Sequence, residues 1–100
     1  MRATGWRCCW TALWLTGAAH AASLTVATYN VENYGMANRV TEDGYRRDYP
    51  KPEVEKAALR ALVRQIDADI LVLQEVGPQA YLDELQRDLA GEGVKYPFAL

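Results

Sequence analysis

Two polar side chains stand where apolar runs end, and their types suit one kind of chemistry. Asn30 comes at the end of "SLTVATYN" and Glu75 at the end of "DILVLQE", each where a core strand should give way to a turn. A carboxylate at the lip of a buried strand is costly unless it is solvated, paired or bound to a cation. An amide beside a carboxylate, with no imidazole or thiol at hand, is a hard-oxygen set of the kind that binds Mg²⁺ or Ca²⁺ rather than zinc. Each residue also has a purely structural explanation. Glu75 lies just before a helix start, where a negative charge complements the helix dipole by about 0.3–1 kcal/mol, and Asn30 suits a turn in which its side chain bonds its own backbone. Residue type and position alone leave both explanations standing.

The elements that must position these residues are legible in the spacing. Leu24 to Val31 alternate β-branched and aromatic residues, which predicts a first strand. "ENYG" ends it, and from Gly35 to Lys51 no period holds, so that Gly44, Pro50 and Pro52 punctuate what reads as a long loop. Pro52 suits a first helical position, and Glu53 and Glu55 complement the dipole of the first turn. Val54, Ala58, Leu62 and Ile66, joined by Leu59 and Val63, make an apolar stripe, and a helix is expected from Pro52 to about Asp67. A buried strand, Ile70 to Gln74, follows at once. A second helix opens near Pro78, carries Tyr81, Leu82, Leu85 and Leu89 on one face and stops at Gly91 to Gly93, after which "YPFAL" begins a further strand signal. The order β-α-β-α-β, with a crossover helix returning to an apolar strand, implies parallel neighbours and an α/β architecture. Ligands of open α/β sheets bind at the carboxyl ends of the strands, so Asn30 and Glu75 are expected at one edge despite their separation in sequence.

The chain has 100 residues, 50% of them apolar and 24% charged, a globular composition. Its first stretch, "MRATGWRCCWTALWLTGAAHAAS", places Arg2 and Arg7 before an apolar run from Cys8 to Leu15 and then an A-x-A site at Ala19 and Ala21. That tripartite pattern is a secretory signal peptide, residues 1–21, and the run is too short to span a bilayer. Cys8 and Cys9 precede the apolar core instead of following it, which argues against a lipoprotein anchor. Cleavage after Ala21 removes both cysteines and His20, and leaves 9 of the 11 basic residues against 13 acidic ones, a net charge of −4. Disulfides, thiolate zinc sites, Ser-His-Asp triads and Cys-His pairs are thereby excluded within residues 22–100. Bulk positive charge cannot be the grip on nucleic acid or membrane.

"VATYNVENYG", followed after a loop and an amphipathic helix by "DADILVLQEVG", resembles the opening of the endonuclease/exonuclease/phosphatase superfamily, whose fold is that of deoxyribonuclease I. The resemblance covers nearly all of Leu24 to Leu100. It implies that residues 22–100 are the N-terminal portion of a deoxyribonuclease I-like α/β sandwich, roughly its first third, and that the chain is truncated. Asn30 resembles the family asparagine that helps arrange the metal and phosphate centre, and Glu75 the glutamate that ligates a catalytic Mg²⁺, with Mn²⁺ or Ca²⁺ as substitutes. The implied activity of the intact product is metal-dependent phosphodiester hydrolysis by a secreted or periplasmic nuclease, with the cation as Lewis acid on a phosphoryl oxygen. The alternatives are a phosphomonoesterase, a sphingomyelinase-like lipid phosphodiesterase, or a binding module that keeps the fold without the chemistry. The family's histidine and aspartates that activate water are expected beyond Leu100, so the fragment alone should be inactive.

Two further features are weaker. Glu32 shares the strand parity of Asn30 and suits either a group near the metal or a solvated strand end. Tyr34, Arg39, Tyr45, Arg46, Arg47 and Tyr49 mix basic and aromatic residues as a nucleic-acid surface would, but Glu42, Asp43 and Asp48 balance the three arginines and favour a solvated loop.

The A-x-A site sets the mature N-terminus at Ala22. N-terminal sequencing of exported protein should therefore begin "ASLTV", and exported protein that still begins at Met1 contradicts the assignment.

Overall fold

The computed structural model describes residues 22–100 and shows a small mixed α/β domain with two two-stranded sheets and two helices. The signal-peptide assignment lies outside the described residues. Strand β1, Val26–Tyr34, pairs in parallel with β4, Ile70–Val76, in the register Val26↔Ile70 to Asn30↔Gln74. Between them in the chain run a hairpin and the helix α1, Glu53–Ile66. After β4 comes α2, Gln79–Gly91. Among the described residues no helix is long and apolar enough to cross a membrane.

One face of the parallel pair carries Tyr29, Val31, Leu71 and Leu73, which pack with Tyr34, Leu59, Val63, Leu85 and Leu89 into the core between sheet and helices. Alternation places Val26, Ile70 and Val72 on the other face, where they remain exposed. Helix α1 ends because Asp67 takes a left-handed conformation, φ 50°, and its N–H caps the carbonyl of Val63.

Helix α1 buries a different line from the expected stripe. Leu59 and Val63 are inside as expected, but Val54 is 77% exposed and Leu62 and Ile66 lie at the rim, while Arg60 is only 7% exposed. Lys56, Leu59, Arg60 and Val63 form the inward row, at helical spacing. The two cationic side chains lie along the seam between the helices and send their heads to acids: Lys56 Nζ to Glu84 Oε2 at 2.7 Å, and Arg60 to Glu92 Oε2 at 2.6 Å and Glu53 Oε2 at 2.7 Å. A count of apolar residues reads Lys and Arg as outward-facing and misses that their aliphatic stems can line a seam.

Two other expectations are corrected. The segment read as a loop contains a hairpin, β2 Ala37–Thr41 with β3 Gly44–Tyr49, turned at Glu42 and Asp43, with Gly44 at φ 102° and the Thr41 hydroxyl donating to the Gly44 carbonyl. Every residue of β3 is exposed, so there was no buried face to impress an alternating pattern on the sequence. "YPFAL" forms no strand: residues 94–100 lack regular structure, and the tail is held instead by the Tyr96 hydroxyl donating to the Ala68 carbonyl and the Gln86 amide donating to the Tyr96 carbonyl, both at 2.6 Å. A strand needs a partner, and β-propensity without one leaves an extended tail.

Tyr34 joins β1 to both helices. It is fully buried, its hydroxyl donates to Glu84 Oε2 at 2.9 Å, and Lys56 Nζ sits 5.2 Å from its ring centroid. Burial, and then the hydrogen bond to Glu84, push the Tyr34 phenol above its ordinary value. The Lys56 ammonium holds the Glu84 carboxyl below its ordinary value of 4.5. A depressed carboxyl contributes stability that is fully present above 4.5 and lost as the pH falls through the lowered folded-state value. In urea denaturation from pH 7 down to about pH 3, the stability gap between wild type and Glu84→Gln should hold constant above 4.5 and narrow below it, and a gap that stays constant throughout contradicts this assignment.

Candidate metal centre

The carboxyl ends of β1 and β4 meet at one edge, and there Asn30 Nδ2 donates to Glu75 Oε2 at 2.7 Å. This contact is not a simple product of register. Asn30 is paired with Gln74, so alternation alone would send the next side chain, Glu75, to the opposite face. Glu75 has φ 63°, a left-handed backbone that turns its side chain back toward Asn30. For a residue with a Cβ that conformation costs about 1–2 kcal/mol, and it occurs where surrounding structure enforces it.

The end of β1 is irregular as well. The register breaks between Asn30 and Tyr34, with Glu32 at φ 53° and Asn33 at φ 58°. Such a bulge re-aims side chains at the end of a strand. The Glu32 N–H donates to Asn30 Oδ1 at 2.8 Å, which fixes the amide with its nitrogen toward Glu75. The Glu32 side chain itself is exposed, and the residue enters the site through its backbone. Past the bulge the two strands reconnect through the Gly77 N–H, which donates to the Tyr34 carbonyl at 2.9 Å.

Lys51 and Arg39, which sequence reading did not single out for the site, attach to the same bulge. Lys51 Nζ donates to the Glu32 carbonyl at 3.0 Å, and Arg39 Nη2 donates to the carbonyls of Asn33 and Gly35 while its Nε reaches the Tyr49 carbonyl at 3.0 Å. Arg39, Arg46 and Arg47 balance Glu42, Asp43 and Asp48 in net charge without direct contact: none of the ion pairs among the described residues involves these six. The signal available for Lys51 was its place between Pro50 and Pro52 at a helix entry, which marks a turn but not burial.

Asn30 and Glu75 are both exposed at this edge. Glu75 is in no ion pair among the described residues, and its sole side-chain hydrogen bond there uses one oxygen with a neutral donor. The other carboxylate oxygen and the negative charge are therefore open to a cation. Among the described residues no group of three or more His, Cys, Asp or Glu side chains is gathered to hold one. That donor set fits Mg²⁺, which keeps several waters and is held by one or two carboxylates plus substrate oxygens, and does not fit zinc or an all-protein calcium cage. A separate groove of about 700 Å³, lined by residues including Val72, Val76, Leu82 and Phe98, includes neither Asn30 nor Glu75. No protein-family model, curated protein or solved structure matches the chain.

The close packing under this edge makes Gly77 sensitive. A Cβ there would meet Tyr81 Cδ2 at 2.9 Å and the Tyr34 carbonyl oxygen at 3.3 Å. Gly77→Ala should destabilise the protein by about 1–3 kcal/mol in chemical denaturation, as overpacking does, and a change below a few tenths would contradict the packing described.

Proposed function

We propose that the protein is a divalent-metal-dependent phosphodiesterase that acts on nucleic acid, with Glu75 holding Mg²⁺ and Asn30 orienting Glu75. In this reading the β1-α1-β4 unit is the opening of a deoxyribonuclease I-like sandwich, and the product is exported by its signal peptide. The observation that carries the reading is the hydrogen bond from Asn30 Nδ2 to Glu75 Oε2 at 2.7 Å, made at the carboxyl ends of two adjacent parallel strands. A neutral donor fixes the carboxylate without cancelling its charge, as a lysine or arginine would. Bound there, Mg²⁺ would supply Lewis-acid stabilisation of the charge that develops on a phosphoryl oxygen. Glu75 binds and orients, and Asn30 keeps the carboxylate in one rotamer. The edge is open rather than enclosed, which suits a polymer. The exposed hairpin beside it carries Tyr45, Arg46 and Arg47 together with Glu42, Asp43 and Asp48, so it offers aromatic and hydrogen-bonding contacts to a substrate but no net positive charge.

Glu75→Gln keeps the size of the side chain and a carbonyl oxygen but removes the charge. In the intact product, hydrolysis of DNA or RNA at limiting Mg²⁺ should fall by roughly 100-fold or more, equivalent to about 2.7 kcal/mol of transition-state stabilisation. The fold should persist in a thermal melt. Near-normal hydrolysis with a stability loss of about 0.3–1 kcal/mol would instead assign Glu75 to the helix dipole. Turnover of sphingomyelin or inositol phosphates in place of nucleic acid would keep the metal site and move the substrate class.

A further inference from the structure

We infer that Lys51 and Arg39 are positioning residues for the Asn30–Glu75 pair, a two-cation clamp on the backbone bulge that aims Asn30; the inference rests on the proposed role of Glu75. Four successive carbonyls, of Glu32, Asn33, Tyr34 and Gly35, run from the bulge through the point where β1 rejoins β4. Each of them is satisfied individually. Lys51 Nζ donates to Glu32, Arg39 Nη2 to Asn33 and Gly35, and the Gly77 N–H to Tyr34. Backbone acceptors outside a ladder need such partners when they are withdrawn from water.

The two cations are poorly explained in other ways. The Lys51 side chain is 5% exposed, and its carboxylate neighbour Glu55 is 53% exposed and stands farther from Nζ, at 3.4 Å, than the Glu32 carbonyl at 3.0 Å. A buried ammonium loses hydration, so its placement has to be repaid by the groups it meets. Arg39 has no carboxylate in salt-bridge range among the described residues and directs its guanidinium wholly at carbonyls. Together they hold Glu32 and Asn33 in left-handed conformations, which asparagine tolerates but glutamate does not favour. The Glu32 N–H can then reach Asn30 Oδ1. Should Glu32 relax, the Asn30 amide would be free to flip and turn its oxygen toward the Glu75 carboxylate, a repulsive contact. The route therefore runs from Lys51 and Arg39 to the bulge, from the bulge to Asn30, and from Asn30 to Glu75.

The test uses the full chain with Lys51→Met, which keeps the aliphatic stem, Lys51→Arg, which restores a donor, and Arg39→Lys, which keeps the charge but loses the fork. Two quantities are read beside a thermal melt: Mn²⁺ affinity by calorimetry, and the side-chain amide signal of Asn30 in metal-free protein by NMR. Lys51→Met and Arg39→Lys should each weaken Mn²⁺ binding by about 10–100-fold, the usual effect of removing a group that orients a metal ligand. Both should shift the Asn30 amide signal toward that of a solvated side chain, and Lys51→Arg should recover part of each loss. An unmoved Asn30 signal and unchanged affinity in folded Lys51→Met overturn the clamp. If Lys51→Met does not fold, the same two readings on Arg39→Lys decide. Equal Mn²⁺ binding by wild type and Glu75→Gln would overturn the metal role of Glu75, and the metal-free Asn30 signal would then decide the clamp alone.

Discussion

Parallel pairing of β1 with β4 is the constraint on which the rest of this structure depends. Parallel strands cannot be joined by a tight turn, so the chain must cross back, and α1 is that crossing. The same pairing brings the carboxyl ends of both strands to one edge, where Asn30 and Glu75 meet across 45 positions of sequence. It also sets the problem that the left-handed backbone solves. With Asn30 opposite Gln74, the next side chain belongs on the far face, and φ 63° at Glu75 returns it.

The distribution of positive charge around that edge follows one rule. Lys56 goes to Glu84, and Arg60 and Arg64 share Glu92 across the two helices. Lys51 and Arg39, the cations nearest the site in the hydrogen-bond network, go chiefly to carbonyls. Glu75 receives only an amide. A fold that directed a lysine or arginine to Glu75 would gain an ion pair of modest worth at an exposed position, about 0–1 kcal/mol. It would also cancel the charge that a divalent cation needs. Burial in this domain is concentrated in the seam of Tyr34, Leu59, Val63, Leu85 and Leu89, while Asn30 and Glu75 stay exposed at the edge.

What could be read in the sequence follows from where water is excluded. The first strand, the crossover helix, the second strand and the following helix each bury one face, and their periods or apolar runs announced them to within a few residues. That Asn30 and Glu75 share one edge was legible because it follows from topology once two parallel strands are granted, but their contact was not, since it depends on the left-handed backbone at Glu75. The hairpin was not, since β3 is exposed throughout and carries no apolar alternation, and β2 is at most half-buried on one face. The orientation of α1 was misread because Lys56 and Arg60 count as polar although their stems line the helix seam. The roles of Lys51 and Arg39 were hidden for a deeper reason. They bond backbone carbonyls exposed by a register break, and no side-chain pattern records where a ladder fails.

The central claim is that Glu75 holds a hard divalent cation at the meeting of β1 and β4. Its most direct test is a crystal of the protein soaked in Mn²⁺, which shares the oxygen preference of Mg²⁺ and scatters anomalously. The account predicts an anomalous peak about 2.1 Å from a Glu75 carboxylate oxygen, with the Asn30 amide still on the other oxygen. Mn²⁺ bound elsewhere on the domain, with Glu75 bare, would contradict it.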